Sequence, residues 1–322
     1  MSPLASLFAA LAMLAAPAAW AADACDAPPI TTGYGADGTF AFDVRAVANP
    51  ADPAQPVQVF LPRGARGPRP VIFFAHGFGP GEWRNYEDLV RHLASRGYVV
   101  VFSSYEMFGV SMQQRYEALR QGDRAAAAAF GTAMDLSRVG FVGHSFGGGA
   151  VPALAYDGVA RQGWGANGAF MFELAPWYAM QADDRQIRAL PPYVIEVAEV
   201  FDQDTVNDHR MAIDLFRTSA ASRKAYFLVR SSGAGCGVVA DHSTPGRNAS
   251  HIQRQYAVFR PLDALAGAAF DASPQALAAL QHMGDANGGY QPLDLQASPA
   301  PERPESAYRF GWSGPQNPRR TP

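Results

Sequence analysis

Short apolar runs alternate along the chain with segments that have the periodicity of a helix. Val71–Phe74 and Tyr98–Phe102 are apolar throughout, as strands buried on both faces require. Between these runs, apolar side chains recur at three- and four-residue spacing: Trp83, Tyr86, Leu89, Val90 and Leu93. The pattern predicts a strand, a helix that ends at Gly97, and a second strand.

The same alternation continues through most of the chain. Further strands are predicted over 139–142, 169–172, 193–197 and 225–229, and helices over 112–134, from Gly147 onward, over 207–217 and over 252–270. Two β-rich segments, 39–47 and 57–61, come first and indicate an antiparallel edge. We therefore expect an α/β fold, with a mostly parallel sheet, helices on both faces and right-handed crossovers.

The composition narrows the class of protein. With 48% hydrophobic and 17% charged residues, the 322-residue chain is typical of one globular domain. The formal net charge is −3 and like charges form no block. We therefore expect no nucleic-acid partner and no stable membrane anchor.

Both ends of the chain differ from the middle. Residues 4–19 are almost wholly apolar and lead into Ala19-Trp20-Ala21, which predicts a signal peptide over 1–21 and an exported protein, periplasmic or extracellular. No Lys or Arg precedes the run, so an uncleaved anchor or a misassigned start stays an alternative. A domain over 22–287 is expected next. The tail, 288–322, is rich in Pro and Gly and is either a surface wrap or disordered.

The chain has two cysteines, Cys25 and Cys236, and both follow the predicted cleavage site. In an oxidising compartment an even pair favours one disulfide, although two unrelated thiols remain the alternative. The separation of the two residues has no metal-ligand spacing, and we expect no metal site.

The candidate chemistry centres on Gly143-His144-Ser145-Phe146-Gly147, which matches the G-x-S-x-G nucleophile elbow. This motif requires a strand before it and a helix after it, and both are predicted. The glycines allow the tight turn that raises a serine hydroxyl above a sheet. Ser145 is therefore the predicted nucleophile, and the alternative is a Gly-rich turn with an idle serine.

A serine nucleophile needs donors for the oxyanion. His76-Gly77-Phe78-Gly79 follows the first buried strand, beside the elbow in this topology. The backbone N–H groups of Phe78 and Phe146 are the predicted oxyanion hole. The Phe78 side chain is also a candidate wall for the acyl group. His76 and His144 are interpreted as structural.

The serine also needs a base and an orienting acid, which follow it in the order acid, then histidine. His242 lies after the last predicted strand and is the predicted base, with His251 as the alternative. Asp204 follows the preceding strand and is the predicted acid. Asp202 and Asp208 are the alternatives, which would instead cap or solvate the next helix.

Taken together, His-Gly-Phe, Gly-His-Ser-Phe-Gly-Gly, Asp-x-Val and Asp241-His242 resemble the dienelactone hydrolase, chlorophyllase and platelet-activating-factor acetylhydrolase group of α/β-hydrolases. The resemblance spans about 57–270 and implies the α/β-hydrolase fold. A second group, the cutinase-like polyester hydrolases, differs from the chain at two places. Phe146 stands where these enzymes usually have Met, and the loop 231–240 is longer than theirs. The nucleophilic cysteine of true dienelactone hydrolases is absent from the sequence.

The stretch Glu173-Leu174-Ala175-Pro176-Trp177 resembles cutinase-like polyester hydrolases, in which the tryptophan lines the substrate cleft. The resemblance implies that Trp177 binds substrate. Tyr105 is a further substrate-binding candidate, and other aromatic residues also follow predicted strands: Trp83, Phe108 and Phe201.

The predicted activity is hydrolysis of carboxylic esters through Ser145, His242 and Asp204 and an acyl-enzyme, without a cofactor. The substrate is a small-molecule or polymeric ester. Lipase, polyesterase, thioesterase or peptidase chemistry on the same residues is the alternative. A non-catalytic binding protein on a hydrolase fold is the alternative of another class, and it predicts a missing or misplaced triad residue.

Overall fold

The computed structural model describes residues 28–79, 81–231, 239–281, 283, 290–292 and 301–320. The predicted signal peptide, 1–21, and the predicted Cys25–Cys236 disulfide lie outside these residues and stay predictions. Among the helices described, none is both long and apolar enough to cross a membrane.

One sheet organises the described part of the chain. Its nine strands are β1 (Phe42–Val47), β2 (Val57–Pro62), β3 (Arg69–Ala75), β4 (Val99–Ser103), β5 (Met134–His144), β6 (Ala169–Leu174), β7 (Ile195–Phe201), β8 (Lys224–Val229) and β9 (Tyr290–Pro292). They lie in the order β1-β2-β4-β3-β5-β6-β7-β8-β9. Strands β3 to β8 are parallel, whereas β1, β2 and β9 pair antiparallel. The predicted α/β fold and its antiparallel edge are confirmed.

Eight α-helices are present in the described residues: α1 (Glu87–Ser95), α2 (Met112–Phe130), α3 (Phe146–Ala155), α4 (Asp184–Arg188), α5 (Arg210–Thr218), α6 (His251–Arg254), α7 (Arg260–Phe270) and α8 (Pro274–Gln281). Trp83–Tyr86 and Glu305–Ala307 are 3-10 turns, and Tyr156–Arg161 and Gln255–Phe259 are π turns. A capping box at Ser111 begins α2.

Three differences from the predicted elements concern short or terminal segments. Helix α2 ends at Phe130, and Met134 begins β5 instead of ending the helix, because it pairs with Arg69 at the edge of β3. Helix α4 and strand β9 are too short for periodicity to predict. Strand β9 also places residues 290–292 in the sheet, beyond the expected domain boundary at 287.

The core lies on both faces of the sheet. Neighbouring residues of β3 point to opposite faces, and Phe73 and Phe74 are both 1% exposed. Phe74 joins a cluster that includes residues of α1 and α7, whereas Phe73 joins one that includes residues of α2 and α3. Full burial of such a ring contributes about 1.5–3 kcal/mol. This double burial explains the continuous apolar runs in the sequence.

A buried acid on α2 makes the stability depend on pH. Asp123 is 5% exposed, and the Ser103 hydroxyl on β4 donates to its carboxyl at 2.7 Å. Burial raises the pKa of Asp123 from 3.8 to about 8. The folded protein therefore holds a proton there that the unfolded chain releases. The protonated Asp123 carboxyl contributes fully to stability below the pKa that it has in the unfolded chain. This contribution is lost as the pH rises through the pKa that it has in the folded protein.

We expect Asp123→Asn to make the free energy of unfolding fall less steeply with pH. The difference in slope is about 1.4 kcal/mol per pH unit within the window from about pH 5 to about pH 7. Urea unfolding at several pH values measures it. Asp271→Asn, at the exposed end of α7, is the control and should follow the parent protein. Parallel profiles for Asp123→Asn and the parent protein would contradict this account.

Candidate active site

Ser145 occupies a sharp turn between β5 and α3. Its φ and ψ are 55° and −117°, a strained conformation for a residue with a side chain. The flanking glycines make the turn sterically feasible. A Cβ on Gly147 would lie 2.0 Å from the Ala75 carbonyl oxygen, and one on Gly143 would lie 2.3 Å from the carbonyl oxygen of Gly147. The G-x-S-x-G spacing is therefore a steric requirement of this strand-to-helix junction.

Three side chains from distant parts of the chain meet at this turn. His242 Nε2 lies 2.9 Å from Ser145 Oγ, and His242 Nδ1 lies 2.8 Å from Asp204 Oδ2. Asp204 is 1% exposed, and its other oxygen accepts the backbone N–H groups of Val206 and Asn207. These contacts suit the tautomer in which Nδ1–H donates to Asp204 and Nε2 accepts from Ser145.

The alternative residues have other partners. His251 begins α6, and its Nε2 lies 3.9 Å from an oxygen of Asp37. Asp202 accepts a hydrogen bond from the Ser231 hydroxyl at 2.6 Å. Asp208 pairs with the Arg210 guanidinium. The structure therefore brings His242 and Asp204, of the five candidates, to Ser145.

His144 supports the backbone of His242 through a hydrogen bond. The Tyr86 hydroxyl accepts the Gly77 N–H at 2.9 Å and donates to His144 Nδ1 at 2.8 Å. His144 Nε2–H then donates to the His242 carbonyl oxygen at 2.8 Å. Burial, together with the nearby His242, lowers the pKa of His144 well below its usual value, in keeping with a neutral ring. The structural role of His144 was expected from the sequence. Tyr86 was expected only to be a core residue of a helix, and its hydrogen bond to His144 was not predicted.

Asn207 is a further residue that the sequence did not single out. It is 2% exposed, and its amide donates to the Ala175 carbonyl at 2.9 Å and to Ser145 Oγ at 3.4 Å. Its backbone N–H binds Asp204. Asn207 therefore links Ser145 and the end of β6 to the acid loop, which is the loop 202–209 that carries Asp204. The sequence feature that could have pointed to Asn207 is its position three residues after Asp204.

The two residues predicted to supply the oxyanion donors lie on the loop after β3 and at the start of α3. Phe146 is the first residue of α3, so helix geometry gives its N–H no acceptor within the helix. The positive end of the helix dipole lies at the same place. Phe78 lies in the loop after β3, and the residue is 55% exposed. Phe78, Phe146 and Ser145 all line one cleft.

This cleft has a volume of about 630 Å³, within the range of small-ligand sites. Ser145 and His242 lie at its surface. Its walls are mainly apolar and include Phe78, Met107, Phe108, Met112, Trp177, Met180 and Phe310. The structure thus places the predicted substrate-binding residues Phe78 and Trp177 at the cleft.

Tyr105 was predicted to bind substrate, and this prediction is wrong. Its ring is 1% exposed and stacks on His76 with centroids 4.3 Å apart. Its hydroxyl donates to the Gly77 carbonyl at 3.1 Å. Tyr105 therefore supports the loop that carries Phe78 instead of facing the cleft. Burial lowers the pKa of His76 to about 4, so its ring is neutral at physiological pH.

Two other aromatic residues expected near the mouth lie elsewhere. Phe201 is fully buried in the core. Trp83 packs edge-on against Phe60, with ring centroids 5.1 Å apart. Residue position after a strand therefore did not determine which aromatic side chains reach the cleft.

The described part of the C-terminal tail, 301–320, crosses the acid loop. The N–H groups of Arg309 and Phe310 donate to the carbonyls of Thr205 and Val206, each at 2.8 Å. The Phe310 ring meets Trp177 edge-on, with centroids 5.7 Å apart, and lines the cleft. The tail therefore forms one wall of the site.

The Chlorophyllase family model matches residues 33–162, which include the Phe78 loop and the turn that carries Ser145. Asp204 and His242 lie beyond the matched residues. A search of curated proteins found no match. The family match indicates a hydrolase. The strand order and the backbone at Ser145 are those of the α/β-hydrolase fold, which is consistent with this match.

Proposed function

We propose that the protein hydrolyses carboxylic esters through a Ser145–His242–Asp204 triad and an acyl-enzyme. One observation carries the proposal: His242 is within hydrogen-bond distance of both Ser145 and Asp204, at 2.9 and 2.8 Å. The serine sits on a strained turn at the mouth of a cleft, where a substrate carbonyl has access to it. A binding protein would have no need to retain this arrangement.

The proposed mechanism uses only the residues of the site and water. His242 Nε2 takes the proton of Ser145 as the hydroxyl oxygen attacks the ester carbonyl. The backbone N–H groups of Phe78 and Phe146 hold the oxyanion, and loss of one such donor typically costs about 3–4 kcal/mol. His242 then protonates the leaving alcohol. Asp204 keeps the ring in the required tautomer and stabilises the imidazolium.

Water completes the cycle. His242 removes a proton from a water molecule, which attacks the acyl carbonyl, and the ring then returns the proton to Ser145 Oγ. The mainly apolar cleft favours an apolar acyl or alcohol group in the substrate. The proposal covers small-molecule and polymeric esters. A panel of p-nitrophenyl esters, thioesters and peptide anilides separates esterase from thioesterase and peptidase activity.

Labelling with a fluorophosphonate probe tests the nucleophile. The parent protein is expected to form an adduct of one probe per chain, and Ser145→Ala is expected to form none, because the probe reacts with an activated serine. Intact-protein mass spectrometry measures the adduct. Ser243→Ala is the matched control, since Ser243 lies next to His242 and its hydroxyl donates to Asp241. Equal labelling of Ser145→Ala and the parent protein would refute the assignment.

A further inference from the structure

The charged residues that line the cleft are arginines. Among the described residues that line it are two arginines, Arg115 and Arg309, and no Asp or Glu. The catalytic candidate Asp204 is nearby but is buried behind His242, to which it is hydrogen-bonded. A negatively charged group that enters the cleft therefore meets cationic side chains on the wall and no carboxylate.

Arg115 is a cation held in the wall without a counter-ion. The residue is 8% exposed, and its guanidinium donates to the backbone carbonyls of Glu106 and Met107. It also lies over the Phe78 ring, 5.6 Å from the centroid. No carboxylate of the described chain forms an ion pair with it. A charge in such a position is compensated by dipoles alone, which leaves it able to attract an anion from the cleft.

Arg309 is the second cation, and it belongs to the tail. Its backbone N–H is fixed on Thr205, and its guanidinium lies 5.4 Å from the centroid of the Phe310 ring. Two carboxylates, one in the tail and one in the loop that the tail crosses, are already paired: Asp208 and Glu305 both bind Arg210. In the part of the chain that the structure describes, Arg309 has no ion-pair partner. Its exposed guanidinium is therefore available to a ligand at the mouth.

We infer that the site prefers esters that carry a negative charge at the end remote from the scissile bond. This inference rests on the proposed esterase function and names its substrate class: a half-ester of a dicarboxylic acid, or an ester with an equivalent anionic group. The apolar walls contact the chain or ring between the two ends, Ser145 attacks the ester carbonyl, and the guanidinium of Arg309 meets the anion. Arginine suits this role because its planar donors match a carboxylate.

The test compares two esters that differ in one charge. The first is the mono-p-nitrophenyl ester of hexanedioic acid, and the second is the same ester with its free carboxyl methylated. The measured quantity is the kcat/KM of the charged ester divided by that of the neutral ester. This quotient removes any change in the amount of folded enzyme, because such a change affects both esters equally.

We expect the parent enzyme to prefer the charged ester, and Arg309→Gln to lower the quotient by about two- to fivefold, the effect of one partly solvated ion pair. Arg309→Glu is expected to lower it further. Added salt should reduce the preference of the parent enzyme, because ions screen exposed charges. Arg320→Gln is the matched control, since this exposed tail arginine binds the Ser313 carbonyl and does not line the cleft. An unchanged quotient in both Arg309 variants would overturn the inference.

A binding measurement separates this inference from the proposed function. Calorimetry with Ser145→Ala compares the affinities for the charged p-nitrophenyl ester and for its methylated form, without turnover. Tighter binding of the charged ester supports the inference, and equal or weaker binding overturns it. By contrast, turnover of neither ester by the parent enzyme would refute the proposed esterase and leave the binding result to decide the charge preference.

Discussion

His242→Ala is expected to lower the kcat/KM for a p-nitrophenyl ester by about 10⁴- to 10⁶-fold, whereas His251→Ala retains most of the activity. His242 Nε2 lies 2.9 Å from Ser145 Oγ, so its loss leaves the hydroxyl without a proton acceptor. His251 is at the start of α6 and contacts Asp37. The loss in His242→Ala should fall mainly on kcat, since the base acts in the transition state.

The pair of histidine variants also tests the assignment of the base. Both proteins must first give the parent's circular dichroism spectrum, so that a change in activity reports on chemistry. The His242 carbonyl accepts from His144, and this backbone contact survives the substitution. A large loss in His251→Ala with little loss in His242→Ala would transfer the role of base to residue 251. Equal, small losses in both would exclude His242 and His251 as the base.

Local constraints explain which parts of the site could be predicted. Gly143 and Gly147 are required by close backbone contacts within one short turn. The motif around Ser145 is therefore sufficient to predict the backbone conformation of that turn. The contacts of His242 and Asp204 with each other and with Ser145 could be expected because the order of strands determines which loops meet at the carboxyl edge of the sheet. Sequence order thus carries information about the site when each functional residue follows its own strand.

The directions of individual side chains required the structure. Tyr105 and Phe108 both follow β4, but Tyr105 turns into the core and Phe108 is 69% exposed at the cleft. Hydrophobic periodicity does not describe a loop, since a loop has no repeating geometry. Asn207 and Tyr86 were missed for a related reason: each acts through contacts with residues remote in sequence.

The C-terminal tail shows the same limit of local reasoning. Its Pro- and Gly-rich composition left a surface wrap and a disordered segment as alternatives. The described residues 301–320 lie along the domain surface, as the first alternative expects, and form specific pairs that include the Arg309 and Phe310 backbone bonds to the acid loop. Arg319 also forms ion pairs with Asp214 and Asp184. The tail contributes Phe310 to the wall of the cleft. The composition of the tail could not predict this contact.

Asp204→Asn is expected to lower kcat by about 10⁴-fold, although it preserves the shape of the side chain. The asparagine oxygen can still accept the N–H groups of Val206 and Asn207 in place of Asp204 Oδ1. Its amide then faces His242 Nδ1 as a donor. The ring must accept this hydrogen bond and carry its proton on Nε2, where it can no longer take the proton of Ser145.

Steady-state kinetics on a p-nitrophenyl ester measures this loss, and Asp202→Asn is the matched control. Asp202 lies two residues away and accepts from Ser231, so its substitution leaves the pairing of His242 intact. We expect the control to keep activity near that of the parent enzyme. The loss in Asp204→Asn follows from the wrong tautomer and requires no unfolding. Fluorophosphonate labelling should therefore slow in parallel with kcat, while the urea midpoint stays close to that of the parent. A variant that kept more than about a tenth of the parent kcat would show that Asp204 does not orient the base, since loss of an orienting acid typically costs far more.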